Sequence, residues 1–187
     1  MIWHCGRFDF DTSTPIIMGI LNMTPDSFSD GGQFADDAAA IERALAMVRE
    51  GASIIDVGGE STRPGSDPVD AETEWERIGG VIAALAEREL CVSVDTRHAE
   101  VAKRALAAGA SVVNDVSGFR DAAMVDVVAK SGCGCVVMHM AGEPKTMQVD
   151  PSYEDVVAEV RDYLAEQARV LEAAGVEMPR AQRCDLF

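Results

Sequence analysis

Asp95 and Asn114 are the two side chains best suited to ligand chemistry, each closing a short Val-rich run. A carboxylate accepts two N–H hydrogen bonds and a primary amide offers both a donor and an acceptor, so together they can read the edge of an amino-oxo heterocycle. A plainer use competes: Asp95 or Thr96 would cap a helix starting near His98, and Asn114-Asp115 would set a turn. Two long segments add to the pair. NMTPDSFSDGG, from Asn22 to Gly32, mixes strong turn formers with an apolar Phe28, a side chain suited to closing over something. GGESTRPG, from Gly58 to Gly65, sets Glu60, Thr62 and Arg63 beside glycines. Close backbone approach, a hydroxyl and a guanidinium suit an anionic, phosphate-like ligand, although Arg63 could equally pair with an acidic helix. An oxygen-only donor set beside such a ligand suits Mg2+, which keeps waters and substrate oxygens in its shell. His139 closes another run between two methionines, a place where packed histidines outnumber catalytic ones. The chain carries no nucleophile elbow, paired metal-binding histidines or phosphate-binding P-loop, which disfavours covalent catalysis and zinc chemistry.

These residues need elements to hold them. Ile16 to Asn22, Ser53 to Asp56, Cys91 to Asp95, Ser111 to Asp115 and Cys135 to His139 are short, nearly continuous apolar runs. Such runs are what strands buried on both faces look like, and alternation with helices makes them parallel. Helical stripes follow each: Ile41, Ala44, Leu45 and Val48; Trp75, Ile78, Ile82 and Leu85; then Val101, Ala105 and Leu106. Met124, Val125 and Val128 mark a fourth helix, and Val157, Val160, Leu164, Ala168 and Leu171 a long fifth. Gly51, Gly109, Gly132 and Gly175 stand where helices end on a positive φ. The fold class is therefore α/β with parallel βα repeats, as a barrel or a doubly wound sheet. In a βα-barrel the site lies at the carboxyl ends of the strands, so Asn22, Asp95, Asn114, Asp115 and His139 would share one mouth.

The chain has 187 residues, enough for one domain with a sizeable core but short of the roughly 250 of a closed barrel of this kind. Its formal charge of -16 repels phosphate backbones and anionic membranes, so neither nucleic acid nor membrane is an expected partner. Five cysteines without metal-ligand spacing fit a reducing compartment. No charged leader with an apolar core precedes the first run, and the expected location is cytoplasmic.

The words NMTPDSFSDGG, DVGGESTRPG, SVDTR and VNDVSG, followed by MHMAGEPKTMQ, resemble dihydropteroate synthase in the correct order from about Pro15 to Gly175. The resemblance implies a pterin-binding TIM barrel that condenses 6-hydroxymethyl-7,8-dihydropterin pyrophosphate with p-aminobenzoate, giving dihydropteroate and pyrophosphate in folate biosynthesis. Such enzymes are transferases and sulfonamide targets. Carried over residue by residue, it implies that Asn22 is the protein ligand of Mg2+ and that Asp95 and Asn114 read the pterin edge. Val116 and Met138 would pack near the pterin ring. Thr62 and Arg63 would lie at the pyrophosphate and p-aminobenzoate side, with Pro64 and Phe28 enclosing the aniline ring.

The resemblance departs after the fifth helix, where such enzymes continue with an apolar sixth strand ending in Asp-Pro-Gly, then a lysine and an Arg-x-His. Here the chain reads MPRAQRCDLF. Gln182-Arg183-Cys184 does not look like a buried strand, and no role is transferred to Asp185. The expectation is one domain over 1–187, truncated after the fifth helix, with about five of eight βα units and with activity absent or impaired in this chain alone. A family-like homodimer stays open, though ill suited to such a chain. A non-catalytic remnant and a methyltetrahydrofolate-type pterin-binding module are the alternative readings.

Overall fold

Val and Ile crowd the strands because both faces of the sheet are covered. The computed structural model describes residues 2–24, 33–61, 68–140, 142, 152–177 and 180–184, with backbone alone for 33–36 and 182–184. An antiparallel hairpin of β1 (Ile2–Cys5) and β2 (Phe8–Asp11) comes first, and β3 (Met18–Asn22) opens the main sheet. Then α1 (Gln33–Arg49), β4 (Ile54–Gly58), α2 (Ala71–Ala86), β5 (Val92–Asp95), α3 (Ala99–Ala107) and β6 (Val112–Asp115) alternate. They are followed by α4 (Ala122–Ser131), β7 (Gly134–Met138), α5 (Val156–Ala173) and β8 (Ala181–Cys184). The four expected helix-terminal glycines all take positive φ, from 76° at Gly132 to 113° at Gly51.

The six main strands run parallel in the order β3-β4-β5-β6-β7-β8. A doubly wound sheet reverses its strand order at a switch point, whereas a barrel wall adds strands in sequence. The order decides between the two expectations: these are five βα units and a sixth strand of a (β/α)8 barrel. Strand β8 forms where the sequence shows no buried-strand pattern over 182–184. Its register with β7 runs from Cys135 opposite Ala181 to Met138 opposite Cys184, so backbone pairing makes the strand where apolar patterning gives no signal.

Alternation along each strand separates two cores. Leu21, Val57, Val94, Val113, Cys135 and Val137 face the helices, meeting Ala44, Ile78, Leu85, Val101, Met124 and Leu171. On the other, inner face, Ile54, Cys91, Val112 and Val136 pack around Trp3 and Cys5 of the hairpin, which the sequence analysis did not anticipate. Gly134 makes room for that hairpin: a Cβ there would lie 2.6 Å from Cys5 Sγ and 3.2 Å from Trp3 Cζ2. Trp3 Nε1 also donates to the carbonyl of Arg180 at 2.9 Å, while the Arg180 guanidinium donates to the carbonyls of Cys133 and Val128. The hairpin thus ties the amino end of the sheet to the start of β8.

Candidate functional site

Parallel register carries the polar strand ends to one height. Asn22 is opposite Gly58, Gly58 opposite Asp95, and Asp95 opposite Asn114, a single row across four strands on the inner face. Gly58 is the gap in that row. A Cβ built on it would stand 3.3 Å from Asp95 Oδ2 and 3.7 Å from Asn22 Oδ1, so the missing side chain lets the carboxylate and the amide oxygen approach one another. The sheet continues past the strand ends through Met23 N donating to the carbonyl of Gly58 and Thr96 N to that of Asn114.

Asp95 is free of the capping duty that the sequence left open. Thr96 Oγ1 accepts from His98 N at 3.1 Å, and His98, the residue before α3, makes no side-chain cap. Burial lifts the Asp95 carboxyl well above the ordinary carboxylate range, and the nearby carboxylates of Asp56, Glu74, Asp115 and Glu60 push it further. A group so placed favours a ligand that brings N–H donors or positive charge. Asn114 Nδ2 donates to Asp56 Oδ2 at 3.0 Å, anchoring the amide from below. Val116 is buried and Met138 half-buried; by alternation they share the inner side of β6 and β7 with Asn114 and Val136.

Two residues expected at the mouth are not there. Asp115 is opposite Val137, on the helix side of the sheet, and its carboxylate accepts from Ser117 N, Ser117 Oγ and Phe119 N, closing the β6–α4 turn. The plainer reading thus holds for Asp115 and not for Asn114. His139 packs edge-on against Tyr163 of α5, ring centroids 5.0 Å apart. A strand buried on both faces has no alternation to read, so sequence could not say on which side of it these residues fall.

The structure also gives partners to residues that the sequence left without one. Strand β4 runs two residues past Asp56, which places that carboxyl one row beneath Gly58 and opposite Ser93. Glu60 takes a two-pronged bond from Arg97 and a third from Val69 N. Glu74, fully buried, accepts from Thr96 Oγ1 at 3.1 Å and lies 2.7 Å from His98 Nδ1. Together with Arg77 Nη1 on the Gly59 carbonyl, these bonds pin the base of the β4–α2 connection, whose far end is capped by Asp70 on Thr73 N. Phe28, Thr62, Arg63, Pro64 and Asp185 lie outside the described residues.

Residues 18–180 match the family described as pterin binding enzyme. The chain belongs to the pterin-binding enzyme family. Among its relatives, the dihydropteroate synthase of Neisseria meningitidis serogroup B is 44% identical over 182 residues, covering 96% of this chain and 64% of that protein. The Burkholderia cenocepacia dihydropteroate synthase, solved in complex with 7,8-dihydropteroate, superposes with a TM-score of 0.86 at 43% identity over 97% of this chain and 62% of that one. The Xanthomonas albilineans dihydropteroate synthase with 4-aminobenzoic acid gives a TM-score of 0.88 at 41% identity, covering 97% of this chain and 65% of that one. The chain therefore spans somewhat under two thirds of the length of these relatives. Among the described residues, no helix is long and apolar enough to cross a membrane, and no three His, Cys, Asp or Glu side chains group as a metal cage.

Proposed function

We propose that the protein these residues build is a dihydropteroate synthase, joining 6-hydroxymethyl-7,8-dihydropterin pyrophosphate to p-aminobenzoate in folate biosynthesis. The observation that carries the reading is the row of Asn22, Gly58, Asp95 and Asn114, a notch lined by oxygen acceptors at the carboxyl end of the sheet. The 7,8-dihydropteroate bound to the similar Burkholderia enzyme and the 4-aminobenzoic acid bound to the Xanthomonas one support it.

In this reading Asp95 and Asn114 bind the amino-bearing edge of the pterin, while Val116 and Met138 pack on its ring. Thr62 and Arg63 hold the pyrophosphate and p-aminobenzoate, and Phe28 and Pro64 enclose the aniline. The C–O bond to pyrophosphate breaks, its electron pair leaving with the pyrophosphate, and the amine nitrogen forms the new C–N bond and releases its proton. The chain's part is orientation and exclusion of water, so no protein nucleophile is required. Asn22 fits a Mg2+ ligand: its side chain is exposed at the strand end and its Oδ1 faces the Gly58 notch, an amide oxygen of the kind Mg2+ takes beside waters and substrate oxygens. Bound there, Mg2+ supplies charge neutralisation for the departing pyrophosphate. A reducing, cytoplasmic setting goes with the reading and with Cys5, Cys91, Cys133 and Cys135, all free and buried.

Calorimetric titration of the 187-residue chain with the pterin pyrophosphate tests the reading. Saturable binding, strengthened by Mg2+ and weakened at least tenfold by N22A only when Mg2+ is present, is the expected result. Absence of binding in a folded chain overturns it.

A further inference from the structure

One row beneath the proposed ligand readers lies a carboxyl that the mechanism leaves unused. Asp56 is 4% exposed, and its register partner Ser93 is fully buried. From β4 the Asp56 Oδ2 reaches past β5 to accept from Asn114 Nδ2 at 3.0 Å, while its Oδ1 has no hydrogen-bond partner. A primary amide is nearly symmetric in shape, and a half-turn exchanges its donor and acceptor ends. Burial raises the Asp56 carboxyl while the bond from Asn114 favours its charged form, and against that charged form Asn114 turned the other way would set two acceptors together with no proton between them. With Nδ2 engaged below, Oδ1 is the end left toward the row of Asn22, Gly58 and Asp95.

The geometry points to Asp56 as a positioning residue that decides which end of the Asn114 amide a ligand meets, so that the site selects a ring bearing an amino group there over one bearing an oxygen. This rests on the dihydropteroate synthase reading and deepens it by assigning the recognition of the amino group to a residue that touches no ligand. Ser93 and Gly58 make the arrangement feasible, the first as a small neighbour and the second by leaving the space above Asp56 open.

The test compares two soluble probes, 6-hydroxymethylpterin and 6-hydroxymethyllumazine, which carries oxygen in place of the amino group. The wild-type chain is expected to prefer the pterin by about tenfold or more, the discrimination that one well-placed hydrogen bond provides. In D56L the amide is free to turn, and the preference falls by about threefold or more, with Asp95 keeping its own share. In D56N the new amide can itself turn and offer Asn114 either a donor or an acceptor, so the preference falls there as well. General loosening of the pocket would weaken both probes alike and leave their ratio unmoved, so the ratio isolates the amide. D56A serves if D56L fails to fold. Should the wild type bind neither probe, the enzymatic reading falls, and the Asn114 side-chain NH2 signals in an NMR spectrum still decide the inference. They should show one proton protected from exchange in the wild type and none in D56L or D56A. An unchanged ratio in a folded D56L, or an unprotected Asn114 amide in the wild type, overturns the proposal.

Discussion

Glu60 and Arg97 meet as a two-pronged pair, Nε to Oε2 and Nη2 to Oε1, each at 2.8 Å. The pair joins the second residue past β4 to the second residue past β5. Burial works against the Glu60 charge, yet the Arg97 fork and the Val69 N–H outweigh it and hold the carboxyl below the ordinary range. R97A leaves a largely buried carboxylate unpaired and should cost about 1–3 kcal/mol in urea unfolding. Because the Glu60 carboxyl is lowered by folding, its contribution is full above the unfolded carboxylate value near ~4.3 and fades as pH falls through the folded one. The gap between wild type and R97A should therefore close in acid.

Gly58 is tolerant in backbone and intolerant in space. A methyl group there would press on Asp95 Oδ2 at 3.3 Å and Asp95 Cβ at 3.4 Å, and its three nearest neighbours are all side-chain atoms. G58A should change stability by less than about 1 kcal/mol, because the side chains can shift, while pterin affinity falls by about tenfold or more. Thermal unfolding and calorimetry on one preparation separate the two effects.

Asp95 is costly to the fold in its charged form, since it is half-buried and stands near other carboxylates. D95N keeps the size and removes the repulsion, so it should stabilise the chain by about 0.5–2 kcal/mol in denaturant unfolding at neutral pH. The same change removes a carboxylate acceptor from the ligand edge and should weaken pterin binding. A D95N chain less stable than the wild type would contradict the electrostatic account.

Trp3 closes the inner core from the hairpin side, 4% exposed, with its indole N–H on the Arg180 carbonyl. W3A empties that position and strands the carbonyl, and a loss of about 3–5 kcal/mol is expected. Unfolding should then also expose Cys5 to thiol reagents sooner, since the two residues pack in one cluster.

What the sequence made legible was local. Apolar runs and helical stripes located five strands and five helices because a parallel sheet covered on both faces demands nearly continuous Val and Ile. The loop words around Asn22, Asp95 and Asn114 marked residues that the register brings into one row. Facing was not legible: Asn114 and Asp115 are adjacent, polar and equally suited to a ligand, and only register puts one inside and the other under the helices. The hairpin escaped because Trp3 and Cys5 alternate over only four residues, and β8 because its pairing comes from β7. Asp56 looked like a strand terminus until Val57 and Gly58 extended β4 beyond it.

Rows of this kind make substitutions and insertions very unequal events. Each strand contributes its own rung, so exchanging one rung residue alters what the notch prefers and leaves neighbouring strands where they were. A single residue inserted into β6 would instead rotate Asn114 under the helices and bring an acid inward in its place. Descendants of such a sequence can vary their ligand chemistry letter by letter, but strand length between the rungs is closed to change.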